Sequence, residues 1–245
     1  MSFWELRGVT KSFGSKQVLH GIDLEVKRGE TLVILGGSGT GKSVLLRMLI
    51  GLIQADGGQI LFEGKDITAL HERDYYPLRK RASYLFQGGA LFDSMNVYQN
   101  LAYPLREHTR LTHDEILPIV RKSLARVELE KIEHLYPSDL SGGMMKRVAL
   151  ARAIINEPEI VLYDEPTTGL DPLTTQTINR LIRKLQDELN ITSVVVTHDM
   201  STTKHVADRL AFLEAGRLVF TGTLDQARNA NHPMLGAYLQ EAVFE

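Results

Sequence analysis

Four short runs in this chain are almost wholly apolar, and each ends on a polar group able to do chemistry. Residues 31–35 (TLVIL) run into Gly36, and residues 82–86 (ASYLF) into Gln87. Residues 159–163 (EIVLY) lead to Asp164 and Glu165, and residues 192–197 (TSVVVT) to His198. Near-continuous apolar runs of this length suit strands of a parallel sheet covered on both faces. Ligands of such sheets gather at the carboxyl ends of the strands. Before the first run, residues 3–9, 18–26 and 59–63 are short apolar stretches separated by Gly turns, which predicts a β-rich start. Apolar residues at helical spacing predict helices over 44–52, 114–127, 146–155, 173–189, 201–207 and 235–243, with a strand over 217–221. The stretch 91–158 therefore reads as a mostly helical insert between two strands of the sheet.

The first run opens a loop with strong chemical content. Gly36, Gly37, Ser38, Gly39, Thr40, Gly41, Lys42 and Ser43 fit the pattern GxxxxGK[ST], with a predicted strand before and a predicted helix after. Glycines let backbone N–H groups curl around phosphate oxygens, and a helix N-terminus adds partial positive charge. Lys42 is expected to reach the β and γ phosphates of ATP, and the Ser43 hydroxyl to bind Mg2+. The acidic pair fits the same site. Asp164 is expected to hold Mg2+ through water, and Glu165 to orient or deprotonate the attacking water.

Composition narrows the partners. Lys and Arg total 28 against 30 Asp and Glu, a net charge of −2, so no basic excess points to nucleic acid. The run Arg79, Lys80, Arg81 is the densest basic stretch and reads as a solvated surface. There are no cysteines, which removes disulfides and thiolate metal sites, and the eight histidines lack metal-ligand spacing. The start of the chain lacks the pattern of a secretory signal, and no apolar run is long enough to span a bilayer. These features predict a soluble cytoplasmic chain that could still dock on a membrane partner.

Residues 140–144 (LSGGM), followed by a helix, create a second helix N-terminus rich in glycine. This resembles the LSGGQ signature of ABC-type ATPases, and the other parts of that family follow in order. The resemblance implies an α/β fold: a RecA-like P-loop core (1–89 and 159–227), an N-terminal antiparallel β-subdomain, an inserted helical subdomain (90–158) and a helical tail (228–245), all in one domain. It implies that Ser141, Gly142 and Gly143 of one subunit close over ATP held by another. Phe13 matches the aromatic that stacks on adenine, with Val18 nearby. Gln87 matches the Q-loop glutamine, a Mg2+ ligand and sensor, and His198 the switch histidine on the γ-phosphate. Residues 169–171, ending in Asp171, match the D-loop that crosses to the partner.

The run 86–97 (FQGGALFDSMNV), residues 103–108 and Met144 after the two glycines look like the Mla- or MCE-type lipid-transport ATPases. That narrower resemblance implies phospholipid transport between inner and outer membranes, at the cytoplasmic face of the inner membrane. It implies as partners a second copy, an integral-membrane permease, an MCE-domain protein and a STAS-domain subunit, and no nucleic acid. An importer for amino acids or another polar solute shares every catalytic motif and is the alternative. Two features depart from the narrower pattern: Thr167 to Leu170 (TTGL) has the general ABC form, and the tail is short. ABC ATPases that act on DNA or ribosomes carry coiled-coil or zinc inserts or a second ATPase half, none of which is seen here. A P-loop kinase would lack the second glycine turn and the histidine.

Overall fold

The structure is a computed structural model that describes residues 2–241. Its centre is a six-stranded sheet built from β3 (Thr31–Leu35), β6 (Ala82–Leu85), β7 (Ile160–Asp164), β8 (Thr192–Thr197), β9 (Arg209–Glu214) and β10 (Arg217–Gly222). The spatial order is β10-β9-β3-β8-β7-β6. All neighbours are parallel except β10, which pairs antiparallel with β9. The four strands ending in Gly36, His198, Asp164 and Gln87 are thus consecutive in space, and parallel pairing brings those ends to one edge.

Side chains of a strand alternate between faces, and here each face has its own core. Val33, Leu35, Val161, Tyr163 and Val195 join one core, with the helices α3 (Val97–His108), α4 (His113–Arg126), α5 (Gly142–Ile154) and α6 (Pro172–Leu189). Leu32, Ile34, Ile160, Leu162, Val194 and Val196 join the other. That second core is closed by α1 (Lys42–Leu49) and by a second, four-stranded sheet. This sheet is antiparallel, in the order β2 (Lys16–Lys27), β1 (Ser2–Phe13), β4 (Gly57–Phe62) and β5 (Lys65–Asp66). Burial on both faces is why the central strands carry no alternation in sequence.

Several elements differ from the sequence expectations. Strand β9 has a buried apolar centre, Leu210 to Leu213, but charged ends, which mask it as a strand. The short α2 (Tyr76–Arg81) and α3 also lack a clear periodic signature, and α3 is started by an Asn96–Gln99 capping box. Helix α5 begins four residues before the expected 146. The Ser141 hydroxyl accepts from the Met144 N–H at 3.2 Å and caps it. The two glycines of its first turn have poor helix propensity, which hides this start. After α7 (Met200–Val206) and α8 (Leu224–Arg228), the last helix is α9 (Pro233–Glu241). The remainder of the helix expected over 235–243 lies outside the described residues.

One ion network ties the two sheets together. Arg81, at the end of α2, reaches Glu159 at 2.7 Å and Glu63 at 2.8 Å, and Arg28 reaches Glu159 at 3.1 Å and also contacts Glu63. The Arg28 and Arg81 guanidinium groups lie 3.8 and 5.2 Å from the ring centroids of Phe3 and Phe62. Networked bidentate pairs over aromatic faces contribute where isolated surface pairs do not. Arg81→Ala should therefore lower stability by about 1 kcal/mol, and by less in high salt. An unmoved urea midpoint at low salt would show the network to be idle.

Candidate functional site

The loop after β3 is tightly wound. A Cβ at Gly36 would stand 2.2 Å from the Leu213 carbonyl oxygen, so no side chain fits there. Gly41 has φ +105, and a Cβ on it would meet Leu19 at 2.7 Å. These two glycines let the chain turn sharply from strand into α1. Lys42 is buried beneath the loop. Its Nζ donates to the carbonyls of Gly36 (2.8 Å) and Gly37 (2.9 Å) and stands 3.4 Å from Glu165 Oε1. The Thr40 hydroxyl also donates to the Gly37 carbonyl, at 2.9 Å.

The two carboxylates have separate environments. Asp164 is 1% exposed. Its Oδ1 accepts from the Ser43 hydroxyl at 2.6 Å and its Oδ2 from the Tyr84 hydroxyl at 2.8 Å, with Arg47 3.5 Å away. Burial and the Asp164 charge push the Tyr84 phenol well above its ordinary value, so it is a neutral donor. Glu165 has φ +50, a left-handed conformation that costs energy in a residue with a side chain. The strain re-aims the chain: the Glu165 N–H still bonds the Val196 carbonyl at 2.9 Å, while the side chain turns toward Lys42. Glu165 Oε2 contacts His198 Nδ1 at 2.9 Å and accepts from the Thr168 hydroxyl at 3.1 Å. Lys146, from α5, donates to the Gln87 carbonyl, and burial lowers its ammonium below the ordinary value.

A cleft of about 450 Å³ is lined by Val18, Ser38, Gly39, Gly41, Lys42, Ser43, Gln87, Glu165 and His198, together with Val44 and Thr168. Asp164 joins it through Ser43. The remaining expected residues stand elsewhere. Phe13 is 49% exposed at the end of β1, with the Lys11 ammonium 5.4 Å from its ring centroid. Ser141, Gly142 and Gly143 begin α5 and do not line the cleft. Asp171 caps α6, accepting from the Thr174 N–H at 3.0 Å and its hydroxyl at 2.5 Å. Thr174 also crowds Gly143, where a Cβ would meet it at 2.7 Å. The glycine turn and the Asp171 turn thus pack together, apart from the lysine. Sequence reasoning missed Thr168, Tyr84, Arg47 and Lys146. Thr168 sat in the quoted TTGL run, whereas the other three become visible only when strands and helices are in place.

The cleft joins a glycine-rich loop, a buried lysine and an acidic pair, and known proteins carry the same architecture. Residues 19–168 match the ABC transporter family. A curated relative from Escherichia coli K12, the ATP-binding protein MlaF of an intermembrane phospholipid transport system, is 44% identical over 227 residues. The match covers 93% of this chain and 84% of the relative. A Mycobacterium leprae relative, mkl, named as a ribonucleotide transport ATP-binding protein, is 41% identical over 235 residues. That match covers 96% of this chain but only 68% of the longer relative. Among solved structures, a dimeric ATP-binding cassette in a post-hydrolysis state with ADP and phosphate superposes with TM-score 0.82 at 31% identity, covering 90% of this chain and 98% of that one. A Clostridium perfringens component of an ABC transporter complex superposes with TM-score 0.82 at 30% identity, covering 98% and 99%. The chain belongs to the ABC transporter family, as one of its ATP-binding, ATP-hydrolysing subunits.

Proposed function

We propose that this chain is the Mg2+-dependent ATPase of a phospholipid transporter, working as a pair of copies on the cytoplasmic face of an inner membrane. The observation that carries the pairing is the incomplete cleft. Lys42, Ser43, Gln87, Glu165 and His198 share it, while Ser141 to Gly143 stand outside. A second copy brings its own Ser141 to Gly143 turn, whose helix N-terminus suits a phosphate. The dimeric cassette with ADP and phosphate supports the same arrangement. Phe13, exposed at the end of β1, is free to stack on adenine, and Asp171 holds the turn that faces the other copy.

The donor set fits Mg2+. The Ser43 hydroxyl, the Asp164 carboxylate and the Gln87 amide are hard oxygen donors, few in number and gathered at one cleft. That suits an ion held by few protein groups together with substrate phosphates and water. When bound, the ion supplies charge neutralisation on the phosphate oxygens. The chain's own groups do the rest. Lys42, held at the loop by the Gly36 and Gly37 carbonyls, is placed to meet phosphate oxygens. Glu165, steadied by Thr168 and His198, accepts the proton of the attacking water.

Coupling to a membrane partner is supported by the surface beside Gln87. Among the described residues no helix is long and apolar enough to cross a membrane. A groove of about 230 Å³ lies among Arg79, Lys80, Tyr84, His108, Arg152 and Asn156. Arg152 donates to neutral partners there, the Gly89 carbonyl at 2.7 Å and Asn100 at 3.3 Å, and lies 5.8 Å from the Phe92 ring centroid. Burial lowers its guanidinium below the ordinary value. The exposed Phe92 and Tyr103 rings stand beside it, 5.2 Å apart. Exposed aromatics next to a cation held by neutral groups suit a permease helix bearing an acidic side chain.

The phospholipid reading rests on the likeness to MlaF and on the run 86–97. The mycobacterial relative's name favours a second reading, a transporter of a polar solute. Extraction of the native complex in mild detergent separates them. A permease with an MCE-domain protein, and a STAS-domain subunit, should co-purify with bound phospholipid. Recovery of a soluble solute-binding protein instead overturns the lipid assignment. Arg152→Glu should abolish recovery of the permease while ATP binding persists, and full recovery would remove the groove from the interface.

A further inference from the structure

We propose that Tyr84 is a positioning residue for the metal-binding carboxylate: its hydroxyl pins one oxygen of Asp164 so that the other faces Ser43. The inference rests on reading the cleft as a Mg2+–ATP site. Asp164 is a buried carboxylate whose lone pairs need partners. Its two oxygens are used in different ways: Oδ1 meets the Ser43 hydroxyl at 2.6 Å, and Oδ2 meets the Tyr84 hydroxyl at 2.8 Å.

The sheet explains why a tyrosine reaches. Tyr84 on β6 is paired with Leu162 on β7, and Asp164 lies two residues further along β7 on the same face. Such a diagonal neighbour lies two rises of about 3.3 Å along the strand and one strand spacing of about 4.8 Å across, a gap that a long side chain spans and a short one does not. The phenol is held at that reach by its packing on Phe86, with ring centroids 4.5 Å apart. Arg47 also approaches Oδ2, but from 3.5 Å and with a half-exposed side chain. A neutral O–H donor has an advantage over a second close cation. It fixes the carboxylate rotamer without cancelling the charge that a divalent ion needs. Outer-shell partners of metal ligands act in this way in many sites.

The test compares Tyr84→Phe with the wild type in binding of a non-hydrolysable ATP analogue, with Mg2+ and with EDTA. The expected result is unchanged affinity in EDTA and a loss of about tenfold of the affinity gained from Mg2+. The Mg2+ concentration for half-maximal ATP hydrolysis should rise by a similar factor. A phenol that serves packing alone predicts the same Mg2+ gain in both proteins, and that result overturns the proposal. Tyr84→Met carries the same comparison should the phenylalanine variant fold poorly. Failure of the underlying reading looks different, because wild-type protein would then show no gain from Mg2+.

Discussion

A Glu165→Gln variant should bind ATP and hydrolyse it about a thousandfold more slowly, the scale of losing a general base. The amide keeps the size of the side chain and can still bond Thr168 and His198, so the cleft stays built. It cannot take a proton from water. The same change removes the negative charge that stands 3.4 Å from Lys42. Less negative charge then stands beside the phosphates, so ATP affinity should rise. With Mg2+ and ATP the variant should accumulate as a closed pair of copies in size-exclusion chromatography. Turnover at the wild-type rate would sink the catalytic assignment of Glu165.

Lys42→Ala should weaken ATP binding by about a hundredfold, since one buried charge-assisted contact with phosphate oxygens is worth about 3 kcal/mol. The loss has a second part in this structure. Lys42 holds the carbonyls of Gly36 and Gly37 and neutralises Glu165, which is 7% exposed. Without it a buried carboxylate loses its cation and two carbonyls lose a donor. The ligand-free protein should therefore also melt at a lower temperature. Added ATP raises the melting temperature of the wild type by linkage and should raise that of Lys42→Ala far less at the same concentration. An undiminished ATP-induced shift would show that the lysine is dispensable for binding.

The two variants separate two kinds of legibility. The loop from Gly36 to Ser43 is readable because its function resides in consecutive backbone. Glycine spacing, one lysine and one hydroxyl suffice, and few other contexts require them together. The strand ends are readable for a related reason. A central strand buried on both faces is an unbroken apolar run, and the first polar residue after it stands at the carboxyl edge. Boundaries were less readable wherever a cap or a charged flank outweighed periodicity, as at Ser141 before α5 and at Arg209 and Glu214 around β9.

By itself the sequence determined the nucleotide chemistry, the α/β class and the names of the groups at four strand ends, because each is carried by a local run. Only the tertiary structure decided how those groups meet. Strand order makes the four ends consecutive, so Ser43 reaches Asp164 across 121 residues and His198 reaches Glu165 across 33. It set Lys42 on its own loop and on Glu165, and Tyr84 on Asp164 along a diagonal of the sheet. It also left Ser141 to Gly143 outside the cleft, packed with the Thr174 turn. The physical reason is that a strand's register and neighbours are set by how both faces of the sheet are buried, a property of the whole packed chain and of no single segment.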